Sequence, residues 1–82
     1  MLHNLSFTEE ELVTIANHTT LIAHAATWDT GEFAWREVRL AVSILDKIEA
    51  VFPELMEADG LCCVDEMIDL RRQVASGTAD DI

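Results

Sequence analysis

From Thr8 to Trp28 the chain reads TEEELVTIANHTTLIAHAATW, with apolar side chains returning every three or four positions, the period of a helix that buries one face. Leu12, Ile15, Ala16, Thr19, Ile22, Ala23 and Ala26 fall within about 120° of arc at a helical turn of about 100° per residue, and form the expected core stripe. Thr8 is placed to cap this helix, with Glu11 three residues on to close a capping box and Phe7 and Leu12 to form a hydrophobic staple. Glu9, Glu10 and Glu11 set three negative charges in the first turn, where the helix dipole favours them.

A second helix is expected to start at Asp29 or Thr30, either of which can serve as N-cap, and to run to about Phe52, before Pro53 interrupts it. Its stripe is Ala34, Val38, Ala41, Leu45, Ile48 and Phe52, flanked by Leu40, Ile44 and Val51. Arg36, Arg39, Ser43, Asp46 and Lys47 occupy the other side, and Glu32 can pair with Arg36. Pro53 to Gly60 reads as a short turn closed by Asp59-Gly60. A third helix is expected from Leu61, with Leu61, Val64, Met67, Ile68, Val74 and Ala75 in the core, ending near Gly77 before the acidic tail TADDI. The spacing therefore predicts helices over about 8–27, 31–52 and 61–76, a frayed tail over 77–82, and no strand. The expected fold is a single all-α domain: a small three-helix bundle, or a helical hairpin plus a third helix.

The uncharged flank of the first helix modifies that picture. Between Leu12 and Trp28 there is no charged residue, whereas a solvent-facing helix normally carries charge. This helix is expected to be covered on more than one side, as the middle of a bundle or as a subunit contact. Eighty-two residues bury a small core, half of them are hydrophobic and the mean hydropathy is +0.17. Self-association, most simply as a homodimer, is the expected use of the surplus apolar surface.

Charge narrows the partners. Sixteen acidic side chains against five basic ones give a formal net charge of -11 and a pI near 4.3. Direct contact with nucleic acid or an anionic membrane is disfavoured, and a basic protein surface is favoured. Between Lys47 and Arg71 lie Glu49, Glu54, Glu57, Asp59, Asp65, Glu66 and Asp69 with no basic residue among them. These seven are the candidate partner-binding face, whose field reaches about 8 Å into solvent at physiological salt. Trp28, Trp35 and Arg36, of residue types that dominate many interfaces, are candidate anchors together with Leu21.

Little in the chain suggests chemistry. His3, His18, His24, Cys62 and Cys63 have no compact metal-ligand spacing, the acidic residues do not form a calcium loop, and no phosphate-binding glycine motif occurs. Metal, cofactor and catalytic residues are expected to be absent, with both thiols read as small buried hydrophobes. Adjacent cysteines make a poor disulfide, and with no secretory signal peptide in the sequence they favour a cytosolic setting. The first functional expectation is a non-enzymatic protein-binding module whose acidic half occupies a basic surface. Its sharper form is an inhibitor that mimics nucleic-acid charge, of the kind mobile elements carry. The second is a homo-oligomeric helical adaptor or regulatory subunit working through the apolar surface of helix 1, with acidity serving solubility.

Overall fold

The capping box opens the structure. In a computed structural model that describes residues 2–27 and 32–76, and side chains there except those of 32–34, Thr8 Oγ1 accepts from the Glu11 amide at 3.1 Å. Glu11 Oε1 in turn accepts from the Thr8 amide at 2.8 Å. Two of the amides that a helix start leaves unpaired are thereby satisfied. Helix α1 runs Glu9–Ala26, α2 runs Glu32–Val51, a single 3-10 turn spans Leu55–Glu57, and α3 runs Val64–Ala75. The three helices pack against one another as a small three-helix bundle, and no strand occurs among the described residues. The expected cap at Asp29 or Thr30, Trp28, Gly31, the Glu32–Arg36 pair, the side chains of Phe33 and Ala34, and the segment 77–82 lie outside the described residues.

Two apolar clusters fix the topology. At one end Val13 and Ala16 of α1 meet Leu45, Ile48 and Phe52 from the end of α2, with Leu55, Cys63 and Met67. At the other, Ala23 of α1 meets Val38, Ala41 and Val42 from the beginning of α2, with Leu70 of α3. Helix α1 is therefore antiparallel to α2 and parallel to α3. It is covered on two flanks by its own chain, while Leu21 and Ile22 stay exposed.

This double cover moves the core line. The buried residues of α1 are Val13, Ala16, Thr20 and Ala23, a line rotated by about 80° from the expected stripe at about 100° per residue. Ile22, expected in the core, is 66% exposed, because the deepest line of α1 faces the junction of α2 and α3 and not α2 alone. On α3 the buried side chains are Met67 and Leu70, with Cys63 just before the helix, while Ile68 and Ala75, both expected inside, face outward. On α2 the expected line holds at Val38, Ala41, Leu45 and Ile48, with Val42 added on the side toward α3.

Helix α3 starts at Val64 and not Leu61 because the residues before it are otherwise engaged. Gly60 takes φ +88°, a left-handed conformation open to glycine at little cost, and turns the chain after the 3-10 segment. The Asn17 carboxamide then grips both sides of this turn: Nδ2 donates to the Gly60 carbonyl at 2.9 Å and Oδ1 accepts from the Cys62 amide at 3.1 Å. The turn is thus fastened to the middle of α1, and α3 begins one residue after Cys63.

Thr20 is wholly buried, and its hydroxyl has no hydrogen-bond partner among the described residues. Leaving such a group dry and unpaired costs more than a methyl in the same place. Thr20→Val is expected to raise stability by about 1 kcal/mol, since the two residues have similar helix propensity. A lower denaturation midpoint for the variant would contradict this reading of the core.

Candidate functional site

Folding gathers carboxylates that are far apart in sequence. Glu9, Glu10 and Glu11 open α1, Glu54, Glu57 and Asp59 lie in the connection after α2, and Asp65 and Glu66 open α3. All three segments stand at the end of the bundle where Leu12, Val13, Phe52, Leu55 and Cys63 pack together. Arg36, Arg39 and Arg72 belong to the other half, near the start of α2 and in the second half of α3, whereas Arg71 reaches back to Glu49 and Lys47 stands beside Leu12 and Val51 near the end of α2. The chain is therefore polar end to end, with an acidic pole that sequence order alone does not show. In the sequence Glu9 to Glu11 stand out only as helix-start residues; the hairpin brings them to the same pole.

The seven acidic candidates divide into two groups. Glu54, Glu57, Asp59, Asp65 and Glu66 have no ion-pair partner among the described residues, and all but the half-buried Glu66 are exposed. Glu49 is engaged: Arg71 Nη2 lies 3.0 Å from its Oε1 and 3.2 Å from Asp46 Oδ1, which ties α3 to α2. Asp69 is also engaged. It accepts from Arg72, from Gln73 at 2.9 Å, and meets His24 Nε2 at 3.3 Å, joining α3 to the last turn of α1. These two carboxylates hold helices together, and the free negative field belongs to the other five with Glu9 and Glu10.

The donors around Asp69 hold its carboxyl below the ordinary 3.8, the Arg72 hydrogen bond first and the Gln73 amide second. A carboxylate with a depressed pKa in the folded state stabilises the fold above its unfolded pKa, and that contribution disappears as pH falls through the folded value. The stability difference between the native chain and Asp69→Asn is therefore expected to shrink as pH falls below 3.8. Chemical denaturation of both chains at several pH values measures it. A difference that grows as pH falls below 3.8 would rule out the stabilising network.

The aromatic and aliphatic anchors do not share one surface. Trp35 is half-buried against the cluster of Ala23, Val38 and Leu70, beside Val74 of α3, so the chain itself covers much of its ring. Arg36 is exposed on α2, Leu21 is exposed on the outer side of α1, and Trp28 is among the residues outside the description. A different apolar surface stands open. Ile22 of α1, with Leu40, Ile44 and Val51 of α2, lines the seam between these helices on the side away from α3.

Chemistry is sparse here as well. Cys63 is buried and its thiol is pushed up to about 11, chiefly by burial and then by the Cys62 thiol 3.3 Å away, so it stays protonated. Cys62 is exposed, which departs from the expectation that both thiols are buried; its amide is drawn to Asn17 at the chain's surface. Among the described residues no group of three or more His, Cys, Asp or Glu side chains is placed to hold a metal ion. No helix among them is long and apolar enough to cross a membrane.

Comparison adds no relative. No protein-family model, curated protein or solved structure matches this chain.

Proposed function

We propose that the chain is a non-enzymatic protein-binding module whose acidic pole docks on a basic surface of a larger partner. One observation carries the reading: carboxylates from three separate segments converge on one end of the bundle, and Glu54, Glu57, Asp59, Asp65 and Glu66 there have no ion-pair partner among the described residues. Solubility alone asks for dispersed charge and does not ask for this segregation. Several carboxylates held on helix starts and a pinned turn present fixed negative charge in the way a run of phosphates does. A surface that ordinarily binds nucleic acid is the matching partner, and occupying it would block that binding. Lysine- and arginine-lined grooves recognise such a pole through long-range attraction, so association is fast and weakens as ions screen it.

The test is capture on the immobilised chain, followed by elution in a salt gradient and, separately, with double-stranded DNA. A stoichiometric partner that leaves with rising salt and is displaced by the DNA supports the reading. A partner retained without regard to salt contradicts it.

A further inference from the structure

We propose that the open seam between α1 and α2 is closed by a second copy of this chain, docked antiparallel about a two-fold axis that passes midway between Leu40 and Ile44. This inference does not rest on the acidic pole's having a partner. The seam is an apolar strip that α3 leaves uncovered: two hollows share Ile44, one lined by Ile15, Ile48 and Val51 and bordered by His3, Leu5 and Phe7 of the N-terminal segment, the other by Thr19, Ile22 and Leu40. Val51 is 74% exposed and Ile22 66%, values that α3 cannot reduce because it packs on the opposite side.

The occupant is specified by the charges on the strip. Glu37, Leu40, Ile44, Lys47 and Val51 recur at spacings of four and three along α2, which aligns them on one side of the helix. Glu37 lines one hollow and Lys47, the chain's single lysine, lines the other, about 15 Å apart along the helix axis at about 1.5 Å per residue. Neither has an ion-pair partner among the described residues. The order is symmetric about its centre: acid and apolar on one side, apolar and base on the other. Turned by a two-fold axis, the strip therefore meets its own complement, with Glu37 opposite the partner's Lys47 and Leu40 opposite the partner's Ile44. An isologous contact requires this self-complementarity of a single patch.

The poles favour the same orientation. An antiparallel pair puts the two acidic poles at opposite ends and sets each near the arginine-bearing half of the other copy, whereas a parallel pair would bring both poles together. For a chain of net charge -11, that choice decides whether association is opposed or assisted by the long-range field.

Sedimentation equilibrium from micromolar to millimolar concentration, on the native chain, Glu37→Lys, Lys47→Glu and the doubly reversed chain, tests the inference. All these side chains lie on the surface seam, and helical content by circular dichroism verifies that each variant is folded. The native chain is expected to dimerise, each single reversal to raise the dissociation constant at least about tenfold, and the double reversal to restore it to within about threefold of native. Three results overturn the proposal: a native chain that stays monomeric throughout, a dimer indifferent to the single reversals, or a double variant as weak as the singles.

Discussion

Leu70→Ala is expected to lower the unfolding free energy by about 2–5 kcal/mol, while Ile68→Ala, two positions away on the same helix, is expected to change it by no more than about 0.5 kcal/mol. Leu70 is wholly buried between Ala23 of α1 and Val38, Ala41 and Val42 of α2, whereas Ile68 is 53% exposed. Truncating Leu70 removes transfer free energy and leaves a void that rigid neighbours fill only in part. Truncating Ile68 removes a side chain that mostly meets water. In so small a domain the first loss is a large share of the total, which for folded domains is about 5–15 kcal/mol. Urea denaturation of both variants, performed at low protein concentration, measures the contrast. Equal losses would mean that α3 is rotated from the position described, since the sequence pattern assigns Ile68 to the core and the packing assigns Leu70.

Asn17→Ala is expected to cost about 1–3 kcal/mol, more than an exposed polar residue on a helix usually does. The carboxamide makes two hydrogen bonds across 43 and 45 residues of sequence, to the Gly60 carbonyl and from the Cys62 amide. Its loss leaves the turn that launches α3 held only by apolar packing and by the left-handed Gly60. Asn17→Asp keeps the acceptor for Cys62 but puts a negative oxygen against the Gly60 carbonyl, so an intermediate or larger loss is expected. Amide hydrogen exchange gives the sharper view: in Asn17→Ala the Cys62 amide should exchange faster by more than the global destabilisation explains. Unchanged protection at Cys62 would show that the contact does not hold the turn.

Local signals are more legible in the sequence than packing is. Thr8 and Glu11 form their capping box because it depends on residues three apart, and Pro53 and Gly60 bracket the connection between α2 and α3 for equally local reasons. Which side of a helix lies deepest is a different kind of question. On α1 nearly every residue after Glu11 is uncharged, so several faces satisfy an apolar stripe, and only the positions of α2 and α3 select the line through Val13 and Thr20. On α3, Ile68 and Leu70 are equally apolar and the choice again belongs to the neighbours.

The surfaces follow the same division. The run of acidic residues between Lys47 and Arg71 is visible in the sequence, but its division is not. Arg71 comes from α3 to hold Glu49, and His24 comes from α1 to meet Asp69, across distances no spacing rule covers. Glu9 to Glu11 join the pole only because α1 and α3 run in the same direction. The seam between α1 and α2 is hidden in the sequence because the helical period places Ile22 in the core and Leu40 and Ile44 on its flank.

The central claim is that the position of the charge matters, beyond its amount. It is tested most directly by two variants of equal net charge, measured against the basic partner that capture retains. One neutralises the pole with Glu54→Gln, Glu57→Gln, Asp65→Asn and Glu66→Gln; the other keeps the pole and adds the same charge at exposed positions of the opposite half with Leu21→Lys, Ala25→Lys, Ala75→Lys and Ser76→Lys. At low salt the first is expected to bind at least about tenfold more weakly than the native chain and the second to lose less than about threefold. Equal weakening of the two would contradict a binding pole and leave net charge as the only electrostatic property in play.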